Sequence, residues 1–212
     1  GAIDSKDAIA KMIDAIKKNG GSVLYPCKFE KIIESNDSFS KIKTSMGILK
    51  SQNIIFCNGI DIDNSFNINF LKKPRPGVII KTKPKKNLIN SVVYGPKIHA
   101  HQQSNGQIII GEQITAPVKE NLKNHLKRIN KHFKNMVKGG SDLNPSEVLI
   151  GWRPIPKDDL PIIGRFKNKS VYIAVMHSGI SLAAIVSNLV SQEIVDEVDS
   201  LLLKDFRPSR FF

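Results

Sequence analysis

The 212-residue sequence predicts a mixed α/β and α+β protein of two lobes. A partial parallel-type lobe is interrupted by a mainly antiparallel sheet carrying one long helix. Three observations carry this. Asn53–Cys57 and Val171–Val175 are continuous apolar runs with the look of buried parallel strands, and they bracket the middle of the chain. From about Pro74 the texture changes to short alternating strands separated by Pro, Asn and Gly turns. After those strands comes a single long amphipathic stretch, with Val118, Leu122, Leu126, Ile129, Phe133 and Val137 as its apolar stripe. The expected lobes are 1–68 with 156–212, discontinuous, and 69–155, inserted.

The elements follow in order. Ile9, Met12, Ile13 and Ile16 recur at three- and four-residue spacing, so a helix is expected there, capped by Asp4 or Ser5 and stopped by Gly20-Gly21. Short strands are expected at Ser22–Tyr25 and Phe29–Ile33, then a weaker pair around Ile42 and Gly47–Leu49. The run at Asn53–Cys57 enters a tight turn at Asn58-Gly59. In the middle segment, strands are expected at Val78–Ile80, Ser91–Tyr94, Lys97–Ala100 and Gln107–Gly111, with Ser104-Asn105-Gly106 a hairpin signal. Gly139-Gly140 ends the long helix. A strand through Val148–Trp152, a Pro-rich passage, the strand Val171–Val175 and a helix from about Ile180 to Val198 complete the chain.

Composition excludes several classes. Hydrophobic residues make up 41% and charged residues 24%, which fits neither a disordered chain nor a collagen-like one. No apolar run reaches the roughly 20 residues of a membrane-spanning helix. The N-terminal residues lack a signal-peptide layout, and a cytoplasmic location is expected, with peripheral association at the inner membrane face as the alternative. Cys27 and Cys57 lie far apart without metal-site spacing, so no metal is expected and both read as reduced, buried thiols. The net charge of +13 arises in one segment: Lys72 to Lys138 holds 15 basic residues against Glu112 and Glu120. Lysine dominates that excess, and Lys119, Lys123, Lys127, Lys131, Lys134 and Lys138 follow helical spacing opposite the apolar stripe. A solvated face is the expected reading and no specific nucleic-acid partner is expected, because groove readers lean on arginine and interleaved aromatics.

The most specific passages lie near the C-terminus: Gly151-Trp152-Arg153-Pro154, running on through Asp158-Asp159-Leu160-Pro161 to Gly164-Arg165; then Val171–Val175 leading into His177-Ser178-Gly179-Ile180; and Phe206-Arg207-Pro208-Ser209-Arg210-Phe211. In this order and spacing they resemble the C-terminal signature of the D-amino-acid oxidase, glycine oxidase and sarcosine oxidase family of FAD-dependent oxidoreductases. Gly47–Gly59 is similar to that family's strand and glycine turn beneath the cofactor, and Ser104–Gly111 to its sheet hairpin. The family's opening Gly-x-Gly-x-x-Gly loop, which holds the FAD pyrophosphate at a helix N-terminus, has no counterpart among these residues.

The resemblance implies a partial FAD-binding, Rossmann-like lobe with an inserted substrate-binding sheet, from an enzyme that oxidises a small amine or amino acid by hydride transfer to flavin N5. Arg153 is the expected carboxylate anchor by this resemblance, a role suited to a planar guanidinium; from residue context alone an ordinary structural ion pair is the more usual reading. His99 faces the expected substrate sheet, although a lone strand histidine is more often structural. The loop His177, Ser178, Gly179 and Ile180 is expected against the flavin, with the bland alternative that Ser178 caps the helix and His177 packs. Gly59 is expected to let backbone approach the cofactor, and Phe29 to give a backbone contact on the adenine side. Asp159 stands where the family has a positive-φ glycine, and Asp158 is a turn-former. FAD belongs to the intact enzyme; this chain is expected to hold it weakly or not at all, to be inactive alone, and to self-associate through the uncovered edge of Ile54–Phe56. A non-catalytic basic binding module is the alternative.

Overall fold

The computed structural model describes residues 2–112, 122–140 and 143–212. In chain order it contains α1 (Ser5–Lys18), β1 (Phe29–Ser35), β2 (Ser40–Thr44), β3 (Gly47–Ser51), β4 (Ile54–Phe56), α2 (Ile62–Phe66), β5 (Arg75–Thr82), β6 (Val93–Tyr94), β7 (Ile98–Gln102), β8 (Ile108–Glu112), α3 (Leu122–Met136), β9 (Pro145–Arg153), β10 (Ile162–Phe166), β11 (Asn168–Val175) and α4 (Gly179–Asp196). Short 3-10 turns follow at Leu201–Phe206 and Pro208–Phe211. Helices and three sheets together make the expected mixed class.

Contacts divide the chain into two compact units, Gly1–Ala15 with Arg75–Arg153, and Ile16–Pro74 with Pro154–Phe212. The divisions fall beside Pro74 and Pro154, and Gly1–Ala15 groups with the sheet unit, whereas the sequence reading placed residues 1–68 in the other lobe. Asp4 is one tie: its carboxylate accepts from the Gln103 amide at 2.6 Å. The same side chain caps α1, accepting from the Lys6 and Asp7 backbone N–H groups.

The first unit is built on one antiparallel sheet in the order β6-β7-β8-β5-β9. Alternation along the strands explains its packing. Val78, Ile80, Ile98, Ala100, Ile108 and Ile110 point to one face and are closed over by Ile129, Phe133 and Val137 of the long amphipathic segment. The predicted β7–β8 hairpin is present, with Gly106 at φ 85° and its N–H bonded to the Gln103 carbonyl. Expected stripe residue Val118, and Lys119, lie outside the described residues, as do the side chains of Leu122 and Lys123. Lys127, Lys131, Lys134 and Lys138 are exposed. Beneath α3, the buried Glu112 carboxylate lies 2.8 Å from His125 and 3.1 Å from Arg128, so its charge is met inside the unit.

The second unit has two small sheets, β1-β2-β3 and β10-β11-β4. β4 runs parallel to β11, with Ile54 opposite Val171 and Phe56 opposite Ile173, as their apolar character suggested. β10 lies antiparallel on the other side of β11; its Ile162 and Ile163 belong to the passage read from sequence only as Pro-rich. One face buries Phe56, Ile62, Phe70, Phe166 and Ile173, with Phe29 edge-on to Phe56 at 5.1 Å. The other face packs Ile163 and Tyr172 against Val186, Leu189 and Val190 of α4.

Ser22–Tyr25 is not a strand. Among the described residues the segment joins none of the sheets, and its apolar side chains Val23, Leu24 and Tyr25 are exposed.

Candidate functional site

In the second unit, β4 and β11 run in one direction and end together, β4 leading into Cys57-Asn58-Gly59 and β11 into Met176-His177-Ser178. In open α/β sheets the carboxyl ends of parallel strands are where ligands bind. Gly59 adopts φ 58°, a conformation that disfavours side chains, and a Cβ there would find its nearest neighbour only at 3.8 Å. The glycine therefore serves the turn and leaves its outer side open to another group.

At the adjoining strand end, His177, Ser178, Gly179 and Ile180 are exposed. Ser178 is the N-cap residue of α4, but its side chain makes no capping hydrogen bond; only its carbonyl enters the helix, accepting from Leu182. The Ser178 hydroxyl instead lies 3.3 Å from His177 Nδ1. The side-chain cap considered from sequence is thus absent, and the first turn of α4 presents its N–H groups without a competing hydroxyl. Such a turn favours negative charge through its free N–H groups and the helix dipole.

Behind these loops lies a groove of 420 Å³, lined by Ile55, Cys57, Ala174 and Met176 of the strands and by Ala183 and Ser187 of α4. Both cysteines are free, but the burial expected of them is not found: Cys27 is half-buried and Cys57 is exposed at the end of β4. Partial desolvation of its sulfur still pushes the Cys57 thiol above its ordinary pKa. Among the described residues, no cluster of His, Cys, Asp or Glu could hold a metal ion. Phe29 spends its side chain in the core, and its backbone opens β1 opposite Thr44.

The C-terminal motif holds this architecture in place. Arg207 donates to both oxygens of the buried Glu193, at 2.8 and 2.5 Å, and Tyr172 donates to the same carboxylate. Burial alone would raise the Glu193 pKa; Arg207 and Tyr172 overcome it and hold it below the ordinary value. Arg210 forks onto Asp158 at 2.5 and 3.0 Å and lowers that carboxyl's pKa in turn. Asp158 is therefore the receptor for the C-terminal tail as well as a turn-former, accepting from the Leu160 N–H. Asp159 has φ 66°, in the region where the family's glycine was expected.

In the first unit, the sheet face away from α3 carries the substrate-side candidates. Register puts Tyr94, His99, Gly111, Ile79 and Leu149 in one row across five strands, and Gly77 with Gly151, then Arg75 with Arg153, in the next rows. The glycines make room on this face. A Cβ on Gly77 would sit 3.0 Å from an Arg153 guanidinium nitrogen, and one on Gly111 would collide with the His99 ring. Arg153 and His99 thus lie down on the sheet over two glycines. His99 stacks on Tyr94, centroids 5.6 Å apart and planes at 25°. Its pKa is lowered, first by burial and then by His101 and Arg153.

Gly77, Tyr94 and His101 were not among the residues singled out from sequence; the alternation Arg75-x-Gly77-x-Ile79 and His99-x-His101 was the available signal. Gly111→Ala is expected to keep the fold while lifting His99 off Tyr94. Loss of the ring-current shift on the His99 protons in an NMR spectrum is the measurement.

Comparison with known proteins agrees with this geometry. A model of the family described as FAD dependent oxidoreductase matches residues 1–193. Among solved structures, L-proline dehydrogenase from P. horikoshii superposes with a TM-score of 0.80 at 21% identity, covering 96% of this chain and 59% of that one. Glycine oxidase from Geobacillus kaustophilus gives 0.81 at 17%, covering 95% and 56%. Iminodiacetate oxidase from Chelativorans sp. gives 0.75 at 17%, covering 95% and 57%. Comparison with curated proteins finds no match. The chain thus spans somewhat over half the length of these solved relatives. With the glycine turn and the uncapped helix end at the carboxyl edge of a parallel strand pair, and with the family model matching most of the sequence, the chain belongs to the FAD-dependent oxidoreductase family.

Proposed function

We propose that this chain is the substrate-binding unit, together with the flavin-side part of the cofactor unit, of an FAD-dependent oxidoreductase acting on an amino acid or a related small amine. The observation that carries the reading is the pairing of Gly59 with the uncapped start of α4 at the ends of β4 and β11. These residues suit the flavin end of the cofactor: an open glycine turn for close approach, and helix N–H groups for negative charge. When bound, FAD supplies the hydride acceptor. Arg153 would hold the substrate carboxylate through its planar fork, fixing the α-carbon's position; positioning of that kind is the protein's main contribution in such chemistry. His99, whose pKa is lowered first by burial and then by His101 and Arg153, would line the same face.

The pyrophosphate end is different. No Gly-x-Gly-x-x-Gly loop is encoded in these residues. Among the described residues β4 pairs only with β11, leaving its other edge and the apolar groove without a protein neighbour. From this we infer that the chain by itself binds FAD weakly, does not turn over, and self-associates through that edge and groove. The exposed lysines of α3 are a solvated face on this reading.

An absorbance spectrum and a sizing column on the purified chain test both parts. A colourless protein eluting above its monomer size is expected. A product of the same gene that also encodes a Gly-x-Gly-x-x-Gly segment is expected to be yellow and bleached anaerobically by an amino acid. A yellow monomer of this chain with one equivalent of flavin would overturn the weak-binding part. A longer product that is colourless but retained on heparin in a salt-dependent way would favour the basic binding module instead.

A further inference from the structure

The open face of the sheet gathers more titratable groups than a simple carboxylate anchor requires. Besides His99 and Arg153 it carries Tyr94 from β6, His101 from β7, Arg75 and Lys81 from β5 and Glu147 from β9. Lys81 and Glu147 satisfy each other at 3.0 Å. Burial lowers the His101 pKa, and the Asp4 carboxylate offsets only part of that effect. Among the described residues, neither His99 nor Arg153 has a carboxylate partner.

The placement of these two side chains is specific. Gly111 pairs with Ile79, which stands two residues from Gly77 on β5, so the glycines under His99 and Arg153 are diagonal neighbours. Such pairs are about 7–8 Å apart. One carboxylate with a charge-assisted hydrogen bond of about 2.8 Å at each oxygen fits that span. Before binding, Arg153 disfavours a charge on His99; an anion lying between them reverses the sign of that interaction.

We propose that His99 and Arg153 close on a single carboxylate as a two-point clamp, the imidazole taking one proton from solvent as the anion binds and returning it on release. The clamp rests on the reading of Arg153 as the substrate anchor and adds proton coupling to it. No bond other than N–H changes. Carboxylate affinity then rises as pH falls, by up to about tenfold per pH unit between the midpoints of the bound and free ring, and is flat outside that window.

The test uses NMR on the full chain, following the His99 ring and the Arg153 side chain during titration with propionate, over a pH range in which propionate stays ionised. Propylamine is the control. Saturating propionate is expected to raise the His99 midpoint by about one unit or more. Arg153→Leu should abolish the shift, whereas His99→Gln, checked for folding by its spectral dispersion, should bind propionate more weakly and without pH dependence. Perturbation of Arg153 with an unmoved His99 midpoint would overturn the clamp and leave the anchor standing. No perturbation of either residue would remove the anchor reading, and the clamp with it.

Discussion

Replacing Arg207 with methionine is expected to cost the second unit about 3–5 kcal/mol, the usual penalty for stranding one member of a buried ion pair. Glu193 is 2% exposed, and Arg207 supplies two of its hydrogen bonds while also donating to the Ser200 carbonyl. Methionine fills similar space but leaves the carboxylate with only Tyr172 and the Ser200 N–H. The sign with pH is fixed by the lowered Glu193 pKa. In the parent, this pair stabilises fully above the ordinary carboxyl value of 4.5, and the contribution is lost as pH falls through the folded-state value. In Arg207→Met, Glu193 is expected to take up a proton more readily, so the gap between parent and variant should narrow in acid. Denaturant melts at neutral and acidic pH measure both; a gap that widens in acid would remove Glu193 as the cause.

Arg153→Leu in a flavin-loaded form of the enzyme should lower kcat/KM for carboxylated substrates by roughly 2–5 kcal/mol of transition-state binding, about thirty-fold to a few thousand-fold. Arg153→Lys restores charge but not the fork, and should recover only part of it. A simple amine of the same shape should lose little in either variant. The guanidinium lies over Gly77 with no protein carboxylate competing for it among the described residues, which is why the effect should follow the substrate's charge. Equal losses for amine and amino acid would make Arg153 a structural residue.

Several elements were legible because they depend on local periodicity. The spacing of Ile9, Met12, Ile13 and Ile16 specified α1, the run Ile54–Phe56 specified a strand, and Asn105-Gly106 specified a hairpin whose glycine takes φ 85°. Others were hidden because their partners are distant. β10 reads as a Pro-rich passage, since its Ile162 and Ile163 become a strand only through pairing with Ala174 and Val175. Ser22–Tyr25 looked like a strand because its side chains suit one, but it finds no partner strand among the described residues.

The candidate site divides in the same way. Arg153, Gly59 and the loop His177–Ile180 could be named from sequence because each sits in a contiguous motif resembling a family signature. The sequence also determined the fold class, the concentration of positive charge in Lys72–Lys138 and the lack of a pyrophosphate loop, since all three are properties of residue type and order. Only the tertiary structure decided that Asp158 receives Arg210, 52 residues away, and that Arg207 neutralises a buried Glu193. It also laid His99 and Arg153 over two glycines on neighbouring strands. Sheet register and burial create those pairings, and neither is a function of nearby residues alone, because a one-residue slip in register sends every side chain to the opposite face.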